Sequence, residues 1–507
     1  MIRSENATSA CRRHRRSYSV NSPARALSTA TPPPGRPSGL TLRPVRRSRR
    51  VSLLAFFSLI TLFLRPLPPS VHAAETSPGP LRLGRFEVDA TPPLQSPVAY
   101  APARSITDPL SARGVVLIGA GQPIVLCAVD WIGIGGSGQA AWKARLATAA
   151  GTTPDRVSVH TLHQHDAPRC DFRAEELLAG HGLGQTRFDS SFATGVIENV
   201  ARAVKQATAD ARPVTHLGLG TSVVDRVASN RRILGPDGKV KLVRMSSTKN
   251  PEAIAAPEGT IDPVLKLVSF WNGEQPLAVV TYFACHPQSY YGKGDVTSEW
   301  VGLARNQRQQ TLPGVLHVHF NGAGGNVAAG KYNDGTPERR PELAGRLADA
   351  MRRAWDGTTR SPLQASDIEW RTRSVALPLG AHIKAAPLEA ALADSMKTPA
   401  ERLNAATKLA WLERTSSGEP VQLACLRLKE AWILHMPGEL FVEYQLAAQA
   451  MRPKSFVAMA AYGDYSPGYI GTAIAYTQGG YETEPRSSNV APEVEQVLMD
   501  GMRELLK

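Results

Sequence analysis

The sequence predicts an α/β fold with a mixed β-sheet core flanked by helices, and three observations support it. From residue 114 onward, short apolar runs typical of strands alternate with longer stretches typical of helices. The first two apolar runs are separated only by residues 119–122 (GAGQ), a spacing typical of a β-hairpin. No internal sequence repeat, low-complexity tract or long linker interrupts residues 75–507. A single large domain over those residues is therefore expected.

The individual elements follow from local patterns in chain order. A strand is predicted at 81–88, within a segment rich in Pro and Ser, and the hairpin strands follow at 114–118 and 123–129. The remaining predicted strands are 157–160, 214–218, 265–271, 277–284, 315–320, 421–428 and 430–435. The predicted helices are 138–150, 188–209, 298–310, 341–354 and an alanine-rich stretch over 383–416.

The first 74 residues differ from the rest in composition. They hold thirteen arginines, no lysine and one acid, Glu5, so they carry 12 of the 14 net positive charges. An apolar run follows at 51–64 and small residues at 70–74, which is the order of an export signal with cleavage near Ala73. The run is shorter than the roughly 20 residues needed to cross a bilayer. We therefore predict export to the periplasm or the extracellular space, and the pair Arg49-Arg50 is compatible with the twin-arginine route.

The rest of the chain has a net charge of only +2 and no runs of Lys and Arg, so no nucleic-acid partner is expected. Its cysteines are scattered, without the spacing of a zinc ribbon or a redox pair. We expect them to be buried thiols. They are Cys127, Cys170, Cys285 and Cys425.

Three histidines within six residues form the first candidate site. His160, His163 and His165 come at the end of the predicted strand 157–160 and lead into a turn at Pro168. Loops at strand ends are where α/β proteins usually build their sites. His163 and His165 are two residues apart, so in an extended segment both rings could address one metal ion. The alternative is that these residues are half-buried and stabilise a turn.

Two further segments carry groups that could complete such a site. His286 precedes Pro287 at the end of the predicted strand 277–284, and taken alone it fits a metal ligand or a structural residue equally well. Glu439 follows a Pro-Gly turn after the predicted strand 430–435. Two histidines and one carboxylate form a recurrent catalytic zinc set that leaves a position open for water.

A second histidine pair competes for the metal. His317 and His319 lie inside the apolar strand predicted at 315–320, which favours a place in the core or behind the metal ligands. The glycine-rich turn that follows, at 320–327, lacks the Gly-Lys-Ser/Thr ending of a phosphate-binding loop. We expect this turn to offer backbone N–H groups and to approach a substrate closely.

Taken in order, these segments resemble the N-terminal catalytic domain of the neutral (alkaline, non-lysosomal) ceramidases. The resemblance covers roughly residues 80–490 as separate islands. The matching segments are His163-Gln164-His165, Asn230-Arg231-Arg232, His286 with residues 297–302 (TSEWVG), Pro437-Gly438-Glu439, and Tyr469 followed by Tyr476, Gln478, Tyr481 and Glu482.

The resemblance implies a role for each matched residue. His163, His286, Glu439 and Tyr469 would bind Zn²⁺. His165 would carry out acid/base chemistry, Arg231 would contact the substrate, and Tyr481 would help to hold the oxyanion. The implied activity is that of an exported zinc-dependent amidohydrolase, which cleaves a ceramide-like lipid or another N-acyl compound with zinc-activated water. Such a substrate also implies transient contact with a membrane surface.

The sequence departs from the family's pattern in two places. Ala328 stands in the loop where some ceramidases have a proposed nucleophilic serine, so we do not expect serine chemistry. The chain ends at Lys507, soon after Tyr481, so we expect it to lack the family's C-terminal immunoglobulin-like domain. A metal-dependent esterase on the same scaffold, or a non-catalytic exported binding protein with a degenerate site, remains an alternative.

Overall fold

Three larger β-sheets organise the chain in a computed structural model, which describes residues 80–290 and 292–507. Each sheet is built in the same way. Three antiparallel strands form a meander, a helix follows, a fourth strand pairs parallel to the third, and a second helix completes the unit. We refer to these as the first, second and third units. The repeat is one of topology, and the sequence predicted none.

The first unit covers its sheet with two helices. Its strands are Arg82–Asp89, Ser111–Gly119, Gly121–Val129, Val157–Thr161 and a short closing strand Arg212–Pro213, and its helices are Gly136–Ala150 and Ser190–Ala209. Gly119 and Gly121 have positive φ angles, 118° and 73°, which lets the chain reverse at the predicted hairpin. Asp189 begins the second helix by accepting a hydrogen bond from the N–H of Phe192.

The second and third units follow the same order. The second has strands His216–Val223, Val264–Asn272, Gln275–Phe283, Leu316–Asn321 and a closing strand Thr359–Pro362, with helices Glu299–Thr311 and Arg339–Asp356. The third has strands Ile368–Val375, Val421–Leu428, Ala431–His435 and Phe456–Ala460, with helices Val442–Met451 and Val494–Leu505.

Smaller elements connect these units. The short strands are Ser105–Ile106, Gly133–Ile134, Arg169–Cys170, Ser229–Asn230, Arg232–Leu234, Val240–Val243, Asp295–Val296, Val327–Ala328, Glu439–Leu440 and Tyr469–Ile470. The additional α-helices are Phe172–Ala179, Pro251–Ala255, Ala385–Ala393, Pro399–Ser416 and Ala473–Gln478.

The strand Gly121–Val129 shows how the sheets are buried on both faces. Ile124 and Leu126 point into the core shared with the second unit. Val125 and Cys127, one residue out of phase, pack under the helices of the first unit. This alternation explains why the strand reads as one continuous apolar run.

The predicted α/β class is confirmed, as is the burial of the four cysteines as free thiols. His317 and His319 lie buried in Leu316–Asn321, as expected. The stretch 383–416 is two helices rather than one, because Thr398 forms a capping box that begins a new helix at Pro399.

The strand Leu316–Asn321 brings the three units together. It lies against Gly121–Val129 and Val157–Thr161 of the first unit and against Phe456–Ala460 of the third. The parallel edges of all three sheets therefore meet, and their carboxyl ends face one region. Among the described residues, no helix is long and apolar enough to cross a membrane. The predicted leader and export signal lie outside the described residues.

Candidate metal centre

Each of the three units contributes one group to a common centre. His163 follows the strand Val157–Thr161, His286 follows Gln275–Phe283, and Glu439 follows Ala431–His435. All three side chains are buried. Since the carboxyl ends of these strands meet, residues far apart in sequence lie side by side.

The ligand atoms converge at short distances. His163 Nε2 lies 3.3 Å from Glu439 Oε2, and His286 Nε2 lies 3.8 Å from the same oxygen. His165 Nε2 lies 3.2 Å from His286 Nε2. The ligand atoms of the three histidines all lie within 4.8 Å of one another, a cluster that could hold a metal ion.

The outer nitrogen of each ring has a partner that orients it. His163 Nδ1 donates to the backbone oxygen of Ile132 at 2.6 Å, which leaves the lone pair on Nε2. His165 Nδ1 lies 2.6 Å from the hydroxyl of Tyr100, and His286 Nδ1 lies 3.4 Å from that of Tyr462. Burial lowers the pKa of His165 and of His286 well below 6.5, and the positive charge nearby adds to the effect. Both rings are therefore neutral at neutral pH.

Glu439 presents a negative oxygen to these rings. Burial alone would raise its pKa, but the neighbouring His163 and the hydroxyls of Tyr465 and Tyr469 lower it below the ordinary value. Its Oε1 accepts a hydrogen bond from Tyr465 at 2.8 Å, whereas Oε2 has no hydrogen-bond partner among the described residues. A carboxylate oxygen and an imidazole lone pair at 3.3 Å need a shared proton or a cation between them. One cation would also satisfy His286 Nε2.

Tyr469 lies next to this carboxylate and is held by Arg231. The Nη1 of Arg231 donates to the Tyr469 hydroxyl at 3.1 Å, while its Nε lies 3.2 Å from Glu482 Oε1. Burial raises the pKa of Tyr469 well above 10, against the opposing effect of Arg231. Arg231 is only 2% exposed and has its guanidinium over the rings of Tyr469 and Tyr481. It therefore lies behind the tyrosines.

A cavity of about 400 Å³ opens onto the centre. We call it the site cavity. Its wall brings together the predicted residues His163, His165, Glu439, Tyr469 and Tyr481. The structure thus places every predicted site residue in one region, with Arg231 behind the wall and the His286 ring next to those of His163 and His165, at centroid distances of 4.6 Å and 5.2 Å.

The glycine-rich turn does not have the role that the sequence suggested. It packs against the backbone of the segments that carry the candidate ligands: a Cβ on Gly325 would overlap the carbonyl oxygen of Glu439. Its Val327 oxygen accepts a hydrogen bond from the N–H of His286 at 2.8 Å. The turn therefore fixes two ligand segments. Ala328 forms a β-bridge with His286 and is fully buried. Because its side chain is a methyl group, this position offers no hydroxyl nucleophile.

Two residues of the site have a left-handed backbone that is uncommon for residues with a side chain. His163 has a φ of 63° and Tyr462 a φ of 60°. Their rings stack with centroids 5.0 Å apart. Such conformations cost about 1–3 kcal/mol each and are concentrated at functional sites. Strain at a ligand residue supports a functional role for this loop.

His160, the third histidine of the first cluster, does not join the centre. Its Nδ1 donates to the Ala461 oxygen at 2.8 Å, and its Nε2 lies 2.8 Å from Ser158 Oγ and 3.1 Å from His435 Nδ1. This pair lines a separate cavity of about 470 Å³. A cluster of histidines in sequence is thus divided between two places.

Sequence reasoning missed several residues of the site. Tyr462 and Tyr465 orient a ligand ring and the carboxylate, and Tyr100 contacts His165 from the segment before the first hairpin. The tyrosine-rich stretch 462–469 directly after an apolar run was a usable signal for two of them. Tyr100 had none. Glu482, which forms an ion pair with Arg231 and accepts a hydrogen bond from Arg232, was noted only as part of a motif.

Comparison with known proteins agrees with this architecture. No protein-family model and no curated protein matches the sequence significantly. Among solved structures, neutral ceramidase from Pseudomonas aeruginosa matches with a TM-score of 0.62 at 18% identity, over 84% of this chain and 74% of that one. A ceramidase complexed with C2 matches with a TM-score of 0.61 at 16% identity, over 84% and 75% of the two chains. The chain therefore has the neutral ceramidase fold, as its motifs suggested.

Proposed function

We propose that this protein is an exported zinc-dependent hydrolase that cleaves the amide bond of N-acyl compounds. The observation that carries the proposal is the convergence of His163 Nε2, His286 Nε2 and Glu439 Oε2 on one point at the wall of the site cavity. The fold shared with ceramidases supports the reaction class.

The donor set fits zinc. Two nitrogens and one carboxylate oxygen are a recurrent catalytic zinc set. With metal–ligand distances of about 2.0–2.1 Å in a tetrahedron, two ligand atoms lie about 3.3 Å apart. The separations of 3.3 Å and 3.8 Å from Glu439 Oε2 are close to this value. When bound, zinc supplies Lewis-acid activation of water and of a substrate carbonyl.

The chain's own residues would then move the proton and stabilise the charge. His165 is neutral at neutral pH, because burial lowers its pKa, so its Nε2 can accept a proton from the attacking water and pass it to the leaving nitrogen. Tyr100 holds the opposite side of the ring. Tyr481, on the cavity wall, can donate to the oxyanion. Arg231 acts on the substrate through Tyr469 and Tyr481, whose rings lie under its guanidinium.

Metal analysis of the purified protein, combined with hydrolysis assays, tests this proposal. We expect about one zinc per chain and cleavage of at least one member of a panel of C12 ceramide, N-lauroylethanolamine, N-lauroylglycine and a dodecanoate ester. Chelation should abolish activity and added zinc should restore it. A folded protein that binds no zinc and hydrolyses none of the panel would refute the proposal. Cleavage of the ester alone would make it an esterase.

The fourth ligand can be identified with two variants. The family resemblance assigns it to Tyr469, whereas the geometry also brings His165 Nε2 into the cluster. If His165 carries the proton, His165→Asn should retain zinc and lose activity, while Tyr469→Phe should weaken zinc binding. Zinc loss in His165→Asn, with zinc retained in Tyr469→Phe, would make His165 the fourth ligand in place of Tyr469.

Export is a separate part of the proposal and rests on residues 1–74 alone. Expression of the full chain with its leader, followed by N-terminal sequencing of the mature form, tests it. We expect the mature chain to begin just after Ala73 or Ala74 and to be recovered outside the cytoplasm. Retention of the intact leader in the cytoplasm would contradict export.

A further inference from the structure

Arg169 is a cation on the wall of the site cavity that forms no ion pair within the described part of the chain. Its Nη2 donates to the backbone oxygen of Ala99 at 3.1 Å. Its Nε is buried and has no hydrogen-bond partner there. The residue is half-buried, and burial lowers its pKa. A partly desolvated guanidinium with a free donor is the kind of group that an anionic ligand completes.

The loop that carries His165 also positions this arginine next to the centre. Arg169–Cys170 pairs in parallel with Gly133–Ile134, and Ile132 N–H donates to the Pro168 oxygen at 2.9 Å. Arg169, His165 and Tyr465 all line the site cavity, so the guanidinium lies near the groups proposed to react. An anion held by Arg169 would thus lie on the same side of the centre as His165.

A second arginine reinforces this positive charge. Arg187 donates to the backbone oxygen of Tyr100, the residue next to the Ala99 that Arg169 contacts. Its Nε is also buried without a partner, and no ion pair of Arg187 is present in residues 80–290 and 292–507. Arg187 is close enough to lower the pKa of Arg169. Two positive charges that act on each other and have no ion-pair partner among the described residues repel one another until an anion binds.

Other arginines around the site are neutralised within the protein. Arg231 faces Glu482, and Arg486, which also lies on the wall of the site cavity, pairs with Glu484. The two acids on the cavity wall do not compensate Arg169. Glu439 faces the metal position, and Asp171 accepts hydrogen bonds from Ser137 and from the N–H of Ala174. The positive charge at Arg169 and Arg187 is therefore uncompensated in the described chain.

We propose that Arg169, assisted by Arg187, binds a carboxylate on the amine half of the substrate, so that the protein hydrolyses N-acyl amino acids. This inference rests on the proposed amidohydrolase function. The anion belongs to the amine half because His165, which donates the proton to the leaving nitrogen, lies on the same loop. Water adds its hydroxyl to the acyl carbon, the C–N bond breaks and a proton passes to nitrogen. The products are a carboxylic acid and a free amino acid.

The rest of the cavity suits an acyl group attached to such a head. Its wall includes the apolar side chains of Ile132, Phe188 and Leu403. A volume of about 400 Å³ lies at the lower end of the range for small-molecule sites, roughly 300–1,000 Å³. One acyl chain with a compact charged head fits this cavity better than a lipid with two long chains.

Hydrolysis of a matched pair of substrates tests the proposal. For the zinc-loaded enzyme we expect kcat/KM for N-lauroylglycine to exceed that for neutral N-lauroylethanolamine by about 10- to 100-fold, as for a charge-assisted hydrogen bond. Arg169→Gln should reduce that ratio at least tenfold, and Arg169→Lys should reduce it less. The matched control is Arg173→Gln, which removes an arginine already paired with Glu413 outside the cavity and should leave the ratio unchanged. An active enzyme with no preference, or with a preference that Arg169→Gln does not alter, would overturn the inference.

A binding measurement separates this inference from the proposed function. The sulfonamide analogue of N-lauroylglycine cannot be hydrolysed, and its Kd can be measured by calorimetry against that of the uncharged ethanolamine counterpart. Tighter binding of the charged analogue that Arg169→Gln abolishes would support the anion site even if no amide is hydrolysed. Equal binding of both analogues to an active hydrolase would leave the function standing and refute the carboxylate site.

Discussion

Two pairs of buried groups come from the same two segments of chain yet differ in how their polar atoms are satisfied. His160 and His435 lie inside strands, and three of their four ring nitrogens find partners in Ser158, Ala461 or each other. His163 lies in the loop just beyond the first of those strands, and Glu439 begins the short strand Glu439–Leu440 just beyond the second. There the Nε2 lone pair and a carboxylate oxygen face one another without a donor between them.

The difference shows what distinguishes the candidate metal centre from other buried histidines. Both pairs contain histidine and both are buried, so neither histidine count nor burial separates them. Both pairs line a cavity. His160 and His435 are held together by hydrogen bonds within the protein, whereas His163 Nε2 and Glu439 Oε2 have no donor between them. Uncompensated negative charge and lone pairs, rather than residue type, indicate where a cation binds.

The largest effect is expected from substitutions that disrupt one pair and leave the other intact. His163→Ala should abolish stoichiometric zinc binding and reduce hydrolysis to background, because it removes a ligand. His435→Asn should retain about one zinc per chain and lower the free energy of unfolding by about 1–3 kcal/mol, because it disturbs a buried hydrogen-bond network. Metal analysis and urea unfolding of both variants measure this. Loss of zinc in His435→Asn would remove the distinction between the two pairs.

A smaller effect is expected from the turn that holds the ligand segments. Gly325→Ala places a Cβ against the carbonyl oxygen of Glu439 and should weaken zinc binding about 10- to 100-fold by displacing that residue. Gly345→Ala is the matched control, since a Cβ there meets no atom within 4 Å and the site lies in a helix. The control should stabilise the fold by up to about 1 kcal/mol. Competition with a fluorescent zinc chelator compares the two Kd values, and equal values would contradict the steric argument.

The hydroxyl that supports Glu439 should have a more modest effect. Tyr465→Phe removes the donor to Oε1 and should weaken zinc binding about tenfold. Tyr444→Phe removes a buried hydroxyl that donates to the Gly471 oxygen, away from the metal ligands, and should leave zinc affinity unchanged. Competition with the fluorescent zinc chelator measures the zinc affinity of both variants. An unaltered affinity in Tyr465→Phe would mean that the carboxylate is oriented by the backbone alone.

His160, in the pair inside the strands, should contribute to the loss of stability in acid. Burial lowers the pKa of His160 to about 4 from an unfolded value of about 6.5. Its depressed pKa means that stability is complete above pH 6.5 and is lost as the pH falls towards 4, by about 3 kcal/mol at about 1.4 kcal/mol per pKa unit. In the chelated protein, His160→Gln should lose less stability between pH 6.5 and pH 4 than the unmodified chain does. Parallel pH profiles of unfolding would show that His160 is not responsible.

The sequence predicted the parts of the site that are local and not those that depend on tertiary contact. His163, His286 and Glu439 were recognisable because each follows a strand in a turn, and their ligand roles remain a prediction. The separation of His160 from His163 could not be predicted, because it depends on Ser158 and Ala461 meeting His160 in space. The threefold repeat of strand order was also invisible, since packing constrains the pattern of buried positions while leaving the residues themselves free to differ. Arg169 gave no signal, because the absence of a carboxylate partner is a property of the folded chain.

The contribution of one group by each unit has a consequence for how the protein matures. A ribosome completes the segment with Glu439 only after most of the chain has been made, so no nascent fragment contains a whole metal pocket. An ion that binds only the completed site would link residues of all three units. At a free concentration 100 times its Kd, it would stabilise the native state by about 2.7 kcal/mol. Capture of the metal would therefore be the last step of maturation, and it would report that all three units are in place.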